Sequence, residues 1–66
     1  MNVTVNGKSY KIQAGETIAG LVKKQNPSKQ RIAVLLNDEL IPTDKREGHI
    51  LEQGDRVEIL TFAGGG

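Results

Sequence analysis

The sequence predicts an α+β domain in which one helix packs across one face of a mixed sheet of four or five strands. Three observations predict it. Two short stretches near the start alternate apolar and polar residues around an Asn-Gly pair, one stretch after them has helical apolar spacing, and strand-like stretches follow to the end. In order these give β-β-α-β-β-β. A lone helix among strands has one place to bury its apolar stripe, which is a face of their sheet.

Val3 and Val5 alternate with Asn2, Thr4 and Asn6, the period of a half-buried strand. Asn6 and Gly7 both tolerate the positive φ of a type I′ turn, and Tyr10 and Ile12 then alternate with Ser9, Lys11 and Gln13. Strands over 2–6 and 8–13 therefore form a hairpin. Thr17 is the N-cap of a helix over about 17–26, in which Ile18, Leu21 and Val22 share a face. Lys23 and Lys24 suit the negative end of its dipole, and Pro27 lies beyond its stop. With little more than two turns, this helix is too short to stand alone.

The apolar run Ile32-Ala33-Val34-Leu35-Leu36 predicts the central strand. Asn37 and Asp38 turn the chain into a short return strand, Glu39 to Ile41, which Pro42 ends in keeping with a sheet edge. Residues 43–49 are polar and irregular, with room for one loose turn. Ile50 and Leu51 anchor the chain again, Gln53 to Asp55 form a turn, and residues 56–62 are the last strand, with Val57, Ile59 and Thr61 on one face. The whole is similar to a ubiquitin-like β-grasp roll, with residues 1–62 as the folded domain and 63–66 as a flexible C-terminal glycine tail.

Composition excludes several function classes. A chain of 66 residues buries about 60% of the surface its unfolded form exposes, which leaves little room for an enclosed substrate pocket. Without cysteine there is no disulfide framework and no thiolate metal site. No apolar run approaches the roughly 20 residues of a membrane span, and the first residues lack the pattern of a signal peptide, so the expected location is cytoplasmic. Nine basic residues against eight acidic ones are interspersed, and Tyr10 and Phe62 are the only aromatics. That balance offers neither a basic stripe nor a stacking platform for nucleic acid.

No side-chain constellation for catalysis is evident. His49 is the single histidine; a general-base role is open to it, but a solvent-facing loop histidine is the commoner case. Asp38, Glu39, Asp44 and Glu47 are acids of the kind that bind metal, yet Lys45 and Arg46 beside them favour solvated surface charge. The expectation is that the chain holds no metal and is not an enzyme.

The chemistry is expected at the end of the main chain. Gly64, Gly65 and Gly66 follow the last strand almost directly and bring maximal backbone freedom with no side chain to bury. Extended, residues 63–66 reach about 13 Å, a length suited to a narrow tunnel into another protein's active site. The Gly66 α-carboxylate would be ionised at neutral pH, with a reference pKa of about 3.5. As an anion it is a poor electrophile; adenylation with ATP would give it a good leaving group, and a sulfur nucleophile would then form a thiocarboxylate. A leftover of cloning or an idle tail is the plain alternative for three glycines. If Val34, Leu36, Val57 and Ile59 face the helix, then Leu35, Leu60 and Phe62 share the outer face as an apolar docking patch beside the tail, unless the loop at 43–51 covers them.

Gly15-x-Thr17-Ile18 with Leu21, Ala33-Val34-x-Leu36-Asn37-x-x-x-Ile41-Pro42, Gln53-Gly54-Asp55-x-Val57-x-Ile59 and the terminal glycines together resemble the thiamine-pathway (ThiS-type) sulfur carriers of the ubiquitin-like ThiS/MoaD superfamily. The resemblance covers essentially the whole chain. It implies adenylation of Gly66 by a ThiF-type adenylyltransferase that uses the ATP, sulfur from a donor enzyme, and delivery as a thiocarboxylate to a ThiG-type thiazole synthase. It also implies a carrier that binds no cofactor and is a monomer alone. Gly65 and Gly66 match the family's diglycine, and Gly64 adds flexibility. A MoaD-type carrier for another pathway is the near alternative, although such chains tend to be longer. A non-covalent ubiquitin-like binding module is the alternative from a different class.

Overall fold

The computed structural model describes residues 1–25 and 31–62. Its elements are β1 (Asn2–Val5), β2 (Lys8–Lys11), α1 (Ile18–Gln25), β3 (Ile32–Leu36), β4 (Glu39–Ile41) and β5 (Arg56–Thr61), with a single 3₁₀ turn at Thr43–Lys45. The strands form one five-stranded sheet in the order β2-β1-β5-β3-β4. β1 and β5 run parallel, and every other pair is antiparallel.

Local chemistry explains most of the boundaries. β1 stops at Val5 because Asn6 and Gly7 take φ of +50° and +84°. Asn37 and Asp38 adopt φ of +50° and +72°, which closes the β3–β4 hairpin in the same way. At the start of α1 the Thr17 hydroxyl accepts from Gly20 N–H at 3.1 Å, the capping bond its position predicts. Residues 26 and 27, where the sequence places the end of the helix and Pro27, lie outside the described residues.

The strands at the two ends of the chain are one or two residues shorter than the sequence reading, Asn2–Val5, Lys8–Lys11 and Arg56–Thr61 against 2–6, 8–13 and 56–62. The structure also differs in strand order and in the packing of two residues. β5, not β3, is the middle strand, with two strands on each side. The unbroken apolar run of β3 reflects a strand with apolar residues on both faces, and not a central position. Thr61 shares the face of Val57 and Ile59 by parity, but it is exposed while they are buried, because it lies past the part of β5 that the core covers. Of the pair expected to anchor the later loop, Leu51 is buried and Ile50 is 58% exposed.

Val3, Val5, Ile18, Leu21, Val34, Leu36, Leu51, Val57 and Ile59 make the core, with Met1, Tyr10, Ile12, Val22, Ile32 and Ile41 packed around it. Burying a side chain such as Ile18 or Leu21 contributes about 1.5–3 kcal/mol. At the far end of the sheet, Gln53 to Asp55 and Asn37 hold strand starts in place. Asn2 N–H donates to Gln53 Oε1, Gly54 N–H to Asn2 O, and Arg56 N–H to Asn37 Oδ1, all between 2.8 and 2.9 Å. Asn37 Nδ2 donates to Asp55, whose other carboxylate oxygen accepts from Glu52 N–H.

Leu51→Ala should lower unfolding free energy by about 2–5 kcal/mol in urea titrations, whereas Ile50→Ala should change it by less than about 0.5 kcal/mol. Equal effects would contradict the different burial of these neighbours.

Candidate functional site

On the helix side of the sheet, the polar groups are engaged in holding the fold. The loop after the 3₁₀ turn wraps the start of α1: Ile18 N–H donates to His49 O and Ala19 N–H to Arg46 O, both at 3.0 Å. With Gly20 bonded to the Thr17 hydroxyl and Leu21 N–H bonded to Thr17 O, the donors of the first turn are satisfied within the chain, and none is left to bind an anion. His49 is half-buried in this loop, and its carbonyl is the group the fold uses. Arg46 is likewise half-buried, and its guanidinium donates to Ile32 O at 3.1 Å. Asp38 pairs with Arg56 on the surface. Among the described residues no three His, Asp or Glu side chains converge as metal ligands.

The opposite face of the sheet divides into two halves. On β1 and β2 it presents Asn2, Thr4, Ser9 and Lys11, which lie out of phase with buried Val3 and Val5. On β3, β4 and the end of β5 it presents Ala33, Leu35, Leu40 and Leu60. The register sets Leu60 opposite Ala33, and sets Leu35 between Glu58 and Leu40. Leu60 is 47% exposed, Phe62 56% and Leu40 61%, while Leu35 is half-buried among them. The loop at 43–51 does not cover this patch; it lies on the helix side, where Thr17 bridges to Ile50 and Leu51 enters the core.

Leu35, Leu60 and Phe62 are thus brought together on the face where the sequence places them. Leu40 was missed, although its signal was available. A two-residue turn at Asn37 and Asp38 pairs Leu36 with Glu39, and therefore Leu35 with Leu40, on one face. Phe62 N–H still donates to Arg31 O at 3.1 Å, so β5 keeps its direction up to the last described residue. Gly64, Gly65 and Gly66 lie outside the described residues.

Comparison with known proteins settles the family. The ThiS family model matches residues 3–66. The chain belongs to the ThiS family. A crystal structure of the thiamine biosynthesis protein ThiS from Geobacter metallireducens superimposes with a TM-score of 0.83 at 30% identity, covering all of both chains. The solution structure of the Geobacter protein gives 0.77 at 32% identity, covering all of this chain and 88% of that one. The five-stranded sheet with its single helix is therefore the β-grasp fold of this family. The sulfur carrier protein ThiS of Escherichia coli is 23% identical over the full length of both chains. A thiazole synthase of Paramagnetospirillum magneticum is 29% identical over all 66 residues, and there the chain spans about a fifth of the relative's length. A thiazole synthase of Magnetococcus marinus matches over the same share at 27%.

Leu60→Ser and Phe62→Ser should each lower unfolding free energy by less than about 1 kcal/mol, because about half of each side chain is exposed and neither enters the core. A loss above about 1 kcal/mol in a urea titration would show that these residues stabilise the isolated fold.

Proposed function

We propose that this chain is a sulfur carrier of thiamine biosynthesis whose reactive group is the Gly66 α-carboxylate. The observation that carries the reading is where β5 ends. The strand runs out at Thr61 beside exposed Leu60 and Phe62, and four residues without a bulky side chain follow. An apolar patch at the root of a bare backbone suits a protein that docks by its sheet while its terminus reacts elsewhere.

The chemistry follows from the carboxylate. One of its oxygens attacks the α-phosphorus of ATP in an adenylating partner of the ThiF type; a P–O bond forms, and pyrophosphate leaves. The acyl-adenylate is electrophilic at carbon because AMP is a good leaving group. Hydrosulfide released by a donor enzyme attacks that carbon, a C–S bond forms, the acyl C–O bond breaks, AMP departs, the S–H proton goes to solvent, and Gly66 carries a thiocarboxylate. The relatives in which this 66-residue unit makes up a fifth of a thiazole synthase support a thiazole synthase of the ThiG type as the recipient. Leu35, Leu60 and Phe62, joined by Leu40, form the docking face, and Gly64 and Gly65 thread the tail. The carrier supplies a grip and a terminus, and its partners supply the catalytic groups.

Incubation with ATP, the sulfur donor and the adenylating enzyme should raise the intact mass by the exchange of one oxygen for sulfur, localised to the last peptide. Deleting Gly65 and Gly66 should abolish this gain while the fold, followed by circular dichroism, stays the same. A truncated chain that still supported thiazole formation would instead identify a non-covalent binding module. Leu60→Ser combined with Phe62→Ser should raise the KM for activation at least about tenfold, as expected for loss of an apolar anchor pair.

A further inference from the structure

β5 lies between β1 and β3, but β1 leaves it early. Odd-numbered residues of β5 turn their backbone groups toward β1: Asp55 O accepts from Thr4 N–H and Val57 O from Asn6 N–H, both at 2.9 Å. Even-numbered residues face β3, as the Phe62 N–H bond to Arg31 O requires. The next position on the β1 side belongs to Ile59, and no β1 backbone reaches it because the chain has turned at Asn6 and Gly7. The Asn6 side chain fills that position in both directions. Its Oδ1 accepts from Ile59 N–H at 2.8 Å, and its Nδ2 donates to Ile59 O at 3.3 Å. A primary amide offers the donor and acceptor of a peptide group, so it replaces the missing strand residue.

The position after Ile59 is Thr61. By the two-residue period its N–H and C=O face the same vacated side, and among the described residues nothing pairs with them. Beside this position lies a groove of about 310 Å³, walled by Val5, Asn6, Lys8, Tyr10, Ile59 and Thr61 and, from the end of α1, by Gln25. Lys8 is the charged side chain on that wall, it is exposed, and no carboxylate among the described residues pairs with it.

We propose that an extended segment of the adenylating partner, carrying an acidic side chain for Lys8, adds here as a short strand along the vacated edge of β5. The inference rests on the carrier reading and specifies how the root of the tail is held. A terminus five residues beyond Thr61 must meet a phosphorus atom in a near-attack geometry, and a chain fixed only by side chains on one face pivots at its root. Backbone pairing on the second edge of β5 fixes its direction, and main-chain bonds provide the grip whatever the tail's side chains. The tail would thus leave a strand bonded on both sides.

The test uses the full chain, ATP and the adenylating enzyme of the same organism, with pyrophosphate release as the readout. Thr61→Pro removes an N–H that points away from β3, so the β3–β5 ladder is left intact. It should lower kcat/KM for adenylation about five- to tenfold, while Thr61→Ala, which keeps the N–H, stays within about twofold of the parent. Lys8→Glu should lower kcat/KM as well. In amide exchange followed by NMR, Thr61 N–H of the unsubstituted protein should exchange fast when free and slowly when the enzyme is saturating, a readout independent of how the proline variant folds. If the parent is adenylated normally but Thr61→Pro matches Thr61→Ala, or Thr61 N–H is equally exchangeable in the complex, strand addition is overturned and the carrier reading stands. If the parent is not adenylated at all, the carrier reading fails and takes this inference with it.

Discussion

The parallel pairing of the first strand with the last is the constraint on which the rest of this small fold depends. Thr4 and Asn6 donate to Asp55 and Val57, and the start of the chain also fixes the turn before β5 through Asn2, Gln53 and Gly54. This pairing sets Val3 and Val5 beside Val57 and Ile59, and so creates the apolar floor on which Ile18 and Leu21 settle. An eight-residue helix has no independent stability, so α1 forms where that floor exists. The loop at 46–51 depends in turn on α1, whose first donors it caps and beside which Leu51 is buried. Because nearly all of the chain lies between the paired strands, closing them is the entropically expensive step. Little of the core can form before it.

Much of the fold was legible because its signals are local. Asn6 with Gly7, and Asn37 with Asp38, occupy positive φ where the sequence places turns, and Thr17 caps α1 with its own hydroxyl. Long-range order was not legible in the same way. The apolar density of β3 pointed to the middle of the sheet, but the middle strand is β5, whose Arg56 and Glu58 leave its outer face polar near its start. Strand order is decided by which edges pair, and apolar content reports only which faces are covered. Ile50 and Leu51 look equivalent as letters, and only the folded chain, in which Ile50 bridges to Thr17 and Leu51 enters the core, shows which of them is turned inward.

The candidate site divides similarly. The outer patch was legible from strand parity, because Leu35, Leu60 and Phe62 lie out of phase with the buried valines and isoleucines. The second edge of β5 was not, since it depends on where β1 stops relative to β5 and on a side chain completing a backbone ladder. Asn6 reads in the sequence as a turn former and nothing more. Arg46 was hidden for the same reason: its bond to Ile32 O joins the later loop to a strand distant in sequence.

The two ends of the sheet carry different burdens. At the end where β5 begins, Asn37, Gln53, Gly54 and Asp55 are tied to each other and to Asn2, so the polar residues on which the sequence resemblance rests serve the fold. At the end where β5 finishes there is no such network among the described residues; apolar side chains stand exposed there, and the Thr61 N–H and C=O show no hydrogen-bond partner among those residues. The one helix and the one long loop described are both committed to the other face of the sheet. Leu60 and Phe62 therefore have no covering element within the described residues, and each forgoes part of the roughly 1.5–3 kcal/mol that burial would contribute. A domain with so small a core tolerates that loss most readily if burial of these side chains is completed by a second protein. An outer face covered from within would have added to stability and removed the place where a partner could grip the root of the tail.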